Sequence, residues 1–183
     1  MSKLALYSFA RTVCCALSFA VVMIPTPSGA DETAAQREDA LKAAYLVNFI
    51  RFVEWPPGTA DEELTVCFLG GTGVRQALAS GIEAKRVGPR RLTVRSLDAD
   101  ASRADCHVVY VDSTASSEAG EPTSPALTVS DAADFVRRGG MIQLFTEQNR
   151  LRFNINVENA HRAGLRISSA LLQLASAVER KGS

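Results

Sequence analysis

The sequence predicts a single α/β domain with a mostly parallel sheet, an antiparallel hairpin near the C-terminus and flanking helices. Residues 64–112 alternate strand-like and helix-like segments, which is typical of parallel βα units. The segment CHVVYVD, residues 106–112, is almost continuously apolar, as in strands that are buried on both faces of a sheet. Residues 141–157 form two strand-like segments separated by three polar residues, a pattern that predicts an antiparallel hairpin.

We expect the first thirty residues to lie outside this domain. Two basic residues open the chain, residues 12–24 are apolar without a charge, and Ser28-Gly29-Ala30 supplies the small residues that a signal peptidase reads. The apolar run is shorter than the roughly 20 residues of a transmembrane helix. The sequence therefore predicts a signal peptide at residues 1–30, cleaved after about Ala30, and an α/β domain at residues 31–183, with an uncleaved anchor as the alternative.

The elements of the first half follow in order. Residues 38–53 carry the apolar periodicity of a helix, which Pro56 and Pro57 are expected to end. A strand at residues 64–69 leads through a glycine-rich turn into a helix at residues 74–80. In the basic stretch that follows, Leu92 and Val94 alternate with polar residues and predict a half-exposed strand.

The second half continues after the apolar strand at residues 106–112. We expect a loop at 113–125 with room for a short helix, a strand at 126–131, and a helix at 131–138 that ends at Gly139-Gly140. The hairpin strands are predicted at 141–147 and 151–157. A short helical segment at 158–164 and an amphipathic helix at 166–181 are predicted to complete the domain.

The charge and the cysteine content limit the functions that the protein can have. Lys and Arg number 20 and Asp and Glu number 20, so no overall positive field would attract nucleic acid. Of four cysteines, Cys14 and Cys15 lie in the predicted leader, which leaves Cys67 and Cys106. An oxidising compartment favours a disulfide between them, and two buried free thiols are the alternative. A disulfide requires Cα atoms about 4.4–6.8 Å apart.

The sequence offers little support for catalysis, a metal or a cofactor. His107 and His161 do not share a local cluster with other metal-binding residues, and no nucleophile elbow occurs. Gly70, Gly71 and Gly73 follow a strand and precede a helix, where backbone N–H groups can bind an anion. The glycines lack the rest of a phosphate-binding motif, so they indicate either an ordinary turn or a contact with a small ligand.

Several surface residues are candidates for binding a partner. Trp55 is the only tryptophan, and it indicates either a lid on the core or an anchor for a partner, because tryptophan is common in binding hot spots. On the second hairpin strand, Arg152 and Asn154 face away from the apolar residues. The predicted partner-binding residues are Phe52, Glu54, Trp55, Arg152, Asn154 and Arg166.

Four segments together resemble the YfiR family of exported proteins, which carry the DUF4154 domain. They are ALKAAYLVNFIRFVEWP, LTVCFLG, CHVVYVD and the long segment ALTVSDAADFVRRGGMIQLFTEQNRLRFNINVENAHRAGLRISSALLQLA. The resemblance extends over residues 38–178 and is weakest between residues 81 and 125. It is most specific at the Trp-Pro end of the first helix and in the order of motifs after residue 128.

The resemblance implies a periplasmic protein without catalysis or cofactor. Such a protein binds the periplasmic sensor domain of an inner-membrane diguanylate cyclase and inhibits it, which lowers cyclic di-GMP and restrains biofilm formation. It also implies a disulfide at Cys67 and Cys106 and permits a homodimer, whereas a second cysteine pair of some members is replaced here by Leu and Phe. The alternative is a periplasmic small-ligand-binding sensor or accessory protein of another envelope signalling or transport system.

Overall fold

A computed structural model of the chain describes residues 29–59, 62–81, 86–115 and 125–180. The predicted signal peptide therefore lies almost wholly outside the described residues, as does most of the predicted loop at 113–125. The described elements, in chain order, are α1 (Gly29–Phe52), β1 (Val53–Glu54), β2 (Glu63–Leu69), α2 (Thr72–Ser80), β3 (Arg86–Val87), β4 (Arg90–Ser96), β5 (Val108–Val111), β6 (Leu127–Ser130), β7 (Ile142–Glu147), β8 (Arg150–Asn156), α3 (Val157–Arg162), β9 (Arg166–Ile167), α4 (Ser169–Leu174) and β10 (Ala177–Glu179).

The described strands form one large sheet and one small sheet. The large sheet has the order β10-β8-β7-β6-β5-β2-β4-β3, and β1 pairs with β9 apart from it. Within the large sheet, neighbours are parallel except for β7–β8 and β3–β4. This arrangement confirms the predicted α/β class, the mostly parallel sheet and the antiparallel hairpin. Strand order reverses at β2 and β5, so their carboxyl ends form a topological switch point, where ligands bind in many such folds.

Two apolar clusters cover the two faces of the sheet. The main core receives residues from all four described helices, including Phe49, Leu78, Ala160 and Leu171. A smaller cluster on the other face contains Cys67, Leu69, Leu97, Cys106, Val109, Val111, Ala126 and Phe135, none of which lies on a described helix. All residues of β5 and β6 are buried, because these two central strands carry packed side chains on both faces.

The helix predicted at residues 131–138 is wrong, since the structure forms successive turns there. Asp134 has φ 59°, a left-handed conformation that interrupts a helix, and the N–H of Gly140 returns to the carbonyl of Phe135 at 2.9 Å. Asp131 could have capped a helix, but its carboxylate accepts instead from Lys42 and from the N–H of Ser113. Contacts with distant residues therefore outweigh the local helical pattern.

The amphipathic helix predicted at residues 166–181 is also wrong. Residues 166–167 pair with β1 and residues 177–179 pair with β8, so that only α4 remains helical between them. Ser168 begins α4, because its hydroxyl accepts from the N–H of Leu171. Leu174, an apolar residue of this segment, is 69% exposed.

The helix α1 begins nine residues before the predicted helix, and the bounds of the hairpin strands differ by one residue from expectation. The first helix begins at Gly29 and ends at Phe52, where β1 starts to pair with β9, and the N–H of Ser168 donates to the carbonyl of Phe52 at 2.9 Å. The hairpin closes through Gln148 and Asn149, which have φ 49° and 59°. Two consecutive positive φ angles are typical of a type I′ turn, so the loop is shorter than predicted.

Candidate functional site

Four of the six predicted partner-binding residues lie together around the small sheet. Glu54 on β1 stands directly opposite Arg166 on β9, and both side chains are exposed. Phe52 immediately precedes β1 and is 38% exposed, while Trp55 immediately follows it. We call the surface formed by Phe52, Glu54, Trp55 and Arg166, together with Arg90, the Trp55 patch. It combines an exposed aromatic ring with charges of both signs.

Trp55 belongs mainly to the core of the protein. Its side chain is 9% exposed and packs in the main cluster, and the Arg90 guanidinium lies 5.8 Å from its ring centroid. This geometry is a cation–π contact. The indole N–H of Trp55 is buried without a hydrogen-bond partner among the described residues. A partner of this patch would thus meet Arg90 and the neighbours of Trp55 before the indole itself.

The remaining two predicted residues lie on the opposite face of the large sheet. Leu151 and Phe153 are buried, and the ring of Phe153 packs against Tyr45 and Phe49 of α1. Arg152 and Asn154 alternate with them on β8 and therefore project away from α1. Arg152 forms an ion pair with Glu147 at 3.0 Å. The structure thus separates the predicted partner-binding residues into two groups on different faces.

Cys67 and Cys106 form a disulfide beneath the second face of the sheet. Their Cα atoms are 5.8 Å apart, within the range that the pairing requires, because β2 and β5 are neighbours in the sheet. Cys67 has no exposed surface and Cys106 is 4% exposed. The bond joins the middle of β2 to the residue two positions before β5.

The glycine loop between β2 and α2 is filled by the protein's own side chains. Gly70 and Gly71 have φ 73° and 60°, and a Cβ on either would press against Asp112 or Tyr110. A Cβ on Gly73 would overlap the carboxylate of Asp39 from α1. Asp39 thus occupies the position at the start of α2 where an anion is favoured. Contact of these glycines with a small ligand stays a prediction.

Sequence reasoning missed a group of charged residues near this loop. Lys42 on α1 donates to Asp131 at 2.7 Å and pairs with Glu38 at 2.9 Å. Burial opposes charge on both partners, but the contact with Asp131 raises the pKa of Lys42, and Lys42 holds the pKa of Asp131 below its ordinary value. Both side chains are 12% exposed. The ion pair between Lys42 and Asp131 connects α1 to the carboxyl end of β6.

Two neighbours of this pair have raised pKa values. Burial raises the pKa of Asp39, with Glu38, Asp112 and Asp131 adding to the effect against the charge of Lys42. Burial, reinforced by the charges of Asp131 and Asp112, raises the pKa of the Tyr110 hydroxyl well above its usual range. Tyr110 therefore stays protonated at neutral pH. No local sequence signal identifies this cluster, because its members come from separate strands and α1.

Two further properties concern residues 29–59, 62–81, 86–115 and 125–180. There, no group of three or more His, Cys, Asp or Glu side chains is arranged to hold a metal ion. Within those ranges, too, none of the helices combines the length and the apolar composition that crossing a bilayer requires.

A family model described as DUF4154, YfiR/HmsC-like, matches residues 39–176. A search of curated protein sequences gives no match. Among solved structures, the chain is similar to the crystal structure of a conserved domain protein from Vibrio cholerae O1 biovar El Tor str. N16961, with a TM-score of 0.50 and 12% sequence identity. The match covers 77% of this chain and 60% of that one, and it supports the fold alone.

Proposed function

The chain belongs to the DUF4154, YfiR/HmsC-like family, and from this premise we propose that it is a periplasmic regulatory protein. It binds the periplasmic sensor domain of an inner-membrane diguanylate cyclase and inhibits the enzyme, so cyclic di-GMP falls and biofilm formation is restrained. The observation that carries this proposal is the family match over residues 39–176, which is nearly the whole predicted domain. The chain itself has no catalytic role in this proposal.

Export is part of the proposed function. The sequence of residues 1–30 has the charge, apolar run and small residues of a secretory signal, and cleavage after about Ala30 releases residues 31–183 into the periplasm. The disulfide between Cys67 and Cys106 is consistent with an oxidising compartment. The mature protein then reaches the outer side of the inner membrane, where the sensor domain of a membrane-bound cyclase lies.

The Trp55 patch is the proposed contact surface for the sensor domain. It brings Glu54 and Arg166 to the surface on a small sheet whose strands come from distant parts of the chain, and Phe52 is exposed directly before β1. Exposed charge of both signs beside an aromatic ring suits a polar protein surface more than a lipid surface. Inhibition requires that the inhibitor bind the inactive arrangement of the sensor domain more tightly than the active one.

A cellular experiment tests this function. The full chain is co-expressed with each inner-membrane diguanylate cyclase of its host that has a periplasmic domain, and cellular cyclic di-GMP is measured. We expect a several-fold fall with at least one cyclase. The control begins at Asp31 behind a new initiator methionine, so it stays in the cytoplasm and should leave cyclic di-GMP unchanged. Unchanged cyclic di-GMP with every such cyclase, despite recovery of the folded protein from the periplasm, contradicts the proposal.

A further inference from the structure

His107 connects the disulfide to the turn that follows Trp55. It stands between Cys106 and the first residue of β5. Its Nδ1 accepts the backbone N–H of Thr65 at 3.0 Å, and its Nε2 forms a hydrogen bond with the carbonyl oxygen of Thr59. A backbone N–H is only a donor, so Nδ1 carries no hydrogen, and Nε2 supplies the hydrogen that Thr59 accepts. The imidazole is therefore a neutral ring held in one tautomer.

The main chain of His107 is fixed to strands on both sides. Its N–H donates to the carbonyl of Thr65 at 2.9 Å, and its own carbonyl accepts from the N–H of Leu127 at 2.8 Å. Two positions after Thr65, Cys67 is bonded to Cys106. The start of β5 is thus joined to β2 at two adjacent points, one covalent and one through His107. The ring extends from this rigid position to Thr59.

The turn that receives the ring makes few other hydrogen bonds. Pro56 and Pro57 have no N–H to donate, and Gly58 has φ 80°. The N–H and hydroxyl of Thr59 both donate to the carbonyl of Pro56, so these bonds lie inside the turn. Among the hydrogen bonds of the described residues, the one to His107 is what ties the turn to the large sheet. Trp55 directly precedes this turn.

We propose that His107 is a positioning residue for the Trp55 patch. Its ring holds the turn at residues 56–59, keeps Trp55 seated under Arg90, and links the position of both to the Cys67–Cys106 disulfide. The effect on Trp55 is a property of the free protein. The consequence for binding a cyclase sensor domain rests on the proposed function, so the two are measured separately.

Two substitutions separate the two hydrogen bonds of the ring. In His107→Asn, the side-chain oxygen can accept from the N–H of Thr65, but the shorter side chain does not reach Thr59. In His107→Gln, the longer amide can donate to Thr59 and loses the acceptor beside Thr65. His161→Asn is the matched control, because His161 is exposed on α3.

The first readout is fluorescence of the only tryptophan, with acrylamide as quencher. We expect His107→Asn to raise the quenching constant at least about twofold, because the freed turn exposes a buried indole. His107→Gln and His161→Asn should stay near the parent value. Equal quenching of the Asn variant and the parent, or an equal rise in the Asn and Gln variants, overturns the proposal. Circular dichroism and a free-thiol assay verify that each variant is folded and oxidised.

Amide hydrogen exchange on the unmodified protein gives a second test that does not depend on a variant folding. The N–H of Thr65 donates to the ring itself, so we expect it to be protected at least about tenfold over a freely exposed amide. Exchange of the Thr65 N–H at the rate of an exposed amide overturns the proposal, because the ring would then not be held in place. Absence of cyclase inhibition by the parent, beside the expected rise in quenching of His107→Asn, would count against the proposed function and leave the effect on Trp55 standing.

Discussion

Lys42 donates to Asp131 at 2.7 Å and thereby joins α1 to a residue 89 positions later in the chain. Asp131 also accepts from the N–H of Ser113, so its carboxylate connects α1, the end of β6 and the segment after β5. Lys42 reaches Glu38 one turn earlier on the same helix, and each charge therefore has a partner. Removing one partner of a buried ion pair lowers the free energy of unfolding, because the charge of the other partner is left without compensation.

Asp131→Asn should lower the free energy of unfolding by about 2 kcal/mol at pH 7, since it leaves the Lys42 ammonium half-compensated in a site of low exposure. Urea denaturation measures the change. Asp134→Asn is the matched control, because Asp134 pairs with Arg137 and both side chains are more than half exposed. Exposed pairs contribute little, so the control should change stability by less than about 0.5 kcal/mol. Equal effects of the two variants would contradict the argument.

The same pair predicts how stability depends on pH. The pKa of Asp131 lies below its ordinary value of 3.8 in the folded protein. At a pH above that ordinary value, the charged carboxylate therefore stabilises the folded protein. This contribution is lost as the pH falls through the pKa of Asp131 in the folded protein. The difference in unfolding free energy between the parent and Asp131→Asn should shrink as the pH falls below about 4. A difference that stays constant over this range would show that the variant acts by another route.

Gly73→Ala tests whether Asp39 fills the glycine loop. A Cβ at residue 73 would overlap the Asp39 carboxylate, which must then turn aside, so the substitution should cost about 1 kcal/mol of stability. In an Asp39→Ala background the same substitution should cost much less, because the overlapping group is gone. Thermal or urea unfolding of all four proteins gives the coupling energy. Additive effects would mean that Gly73 is needed for another reason.

The strands of the central sheet could be predicted from the sequence because their signal is local. A strand that is buried on both faces of a sheet needs apolar residues in succession. The segment CHVVYVD has this pattern and therefore predicts β5. The strands β2 and β5 are neighbours in the sheet, which brings Cys67 and Cys106 together. The hairpin was equally visible, although the two positive φ angles that shorten its turn fall on Gln148 and Asn149, which are not glycines.

The segments that could not be predicted depend on partners far away in the chain. Residues 166–181 have helical periodicity, yet pairing of β9 with β1 and of β10 with β8 divides them. Long-range backbone pairing overrides propensity, which is a weak local preference. The same holds for the site. Neither the contact of Arg90 with Trp55 nor the hydrogen bond between His107 and Thr59 leaves a pattern in nearby residues.

The disulfide should supply a large part of the stability of the oxidised protein. It closes a loop of 39 residues, for which chain entropy predicts about 4 kcal/mol as an upper figure. We expect the double variant Cys67→Ala, Cys106→Ala to unfold at a lower urea concentration than the oxidised parent, by about 2–4 kcal/mol. Alanine is chosen instead of serine, because a serine hydroxyl would be buried in this apolar cluster. A reducing agent should destabilise the parent and leave the double variant unchanged, and an equal response of both would contradict the prediction.

The two faces that carry the predicted partner-binding residues can be distinguished by two arginine variants, one on each face. Arg166 is exposed in the Trp55 patch opposite Glu54, whereas Arg152 is half-buried on the other face and paired with Glu147. If the Trp55 patch contacts the sensor domain, Arg166→Glu places a second negative charge beside Glu54 and should weaken inhibition about tenfold. Arg152→Ala should leave inhibition within about twofold of the parent, since Arg152 lies away from the Trp55 patch.

The measurement is cellular cyclic di-GMP at graded expression of each variant, together with a thermal melt of the purified protein. The melt is needed because Arg152→Ala leaves Glu147 without its ion-pair partner, whereas Arg166→Glu changes an exposed residue and should leave the fold intact. A stable Arg152→Ala variant that loses inhibition, beside an active Arg166→Glu variant, would move the contact to the outer face of β8. In that case Asn154, which lies on the same face of β8, would be the next residue to substitute.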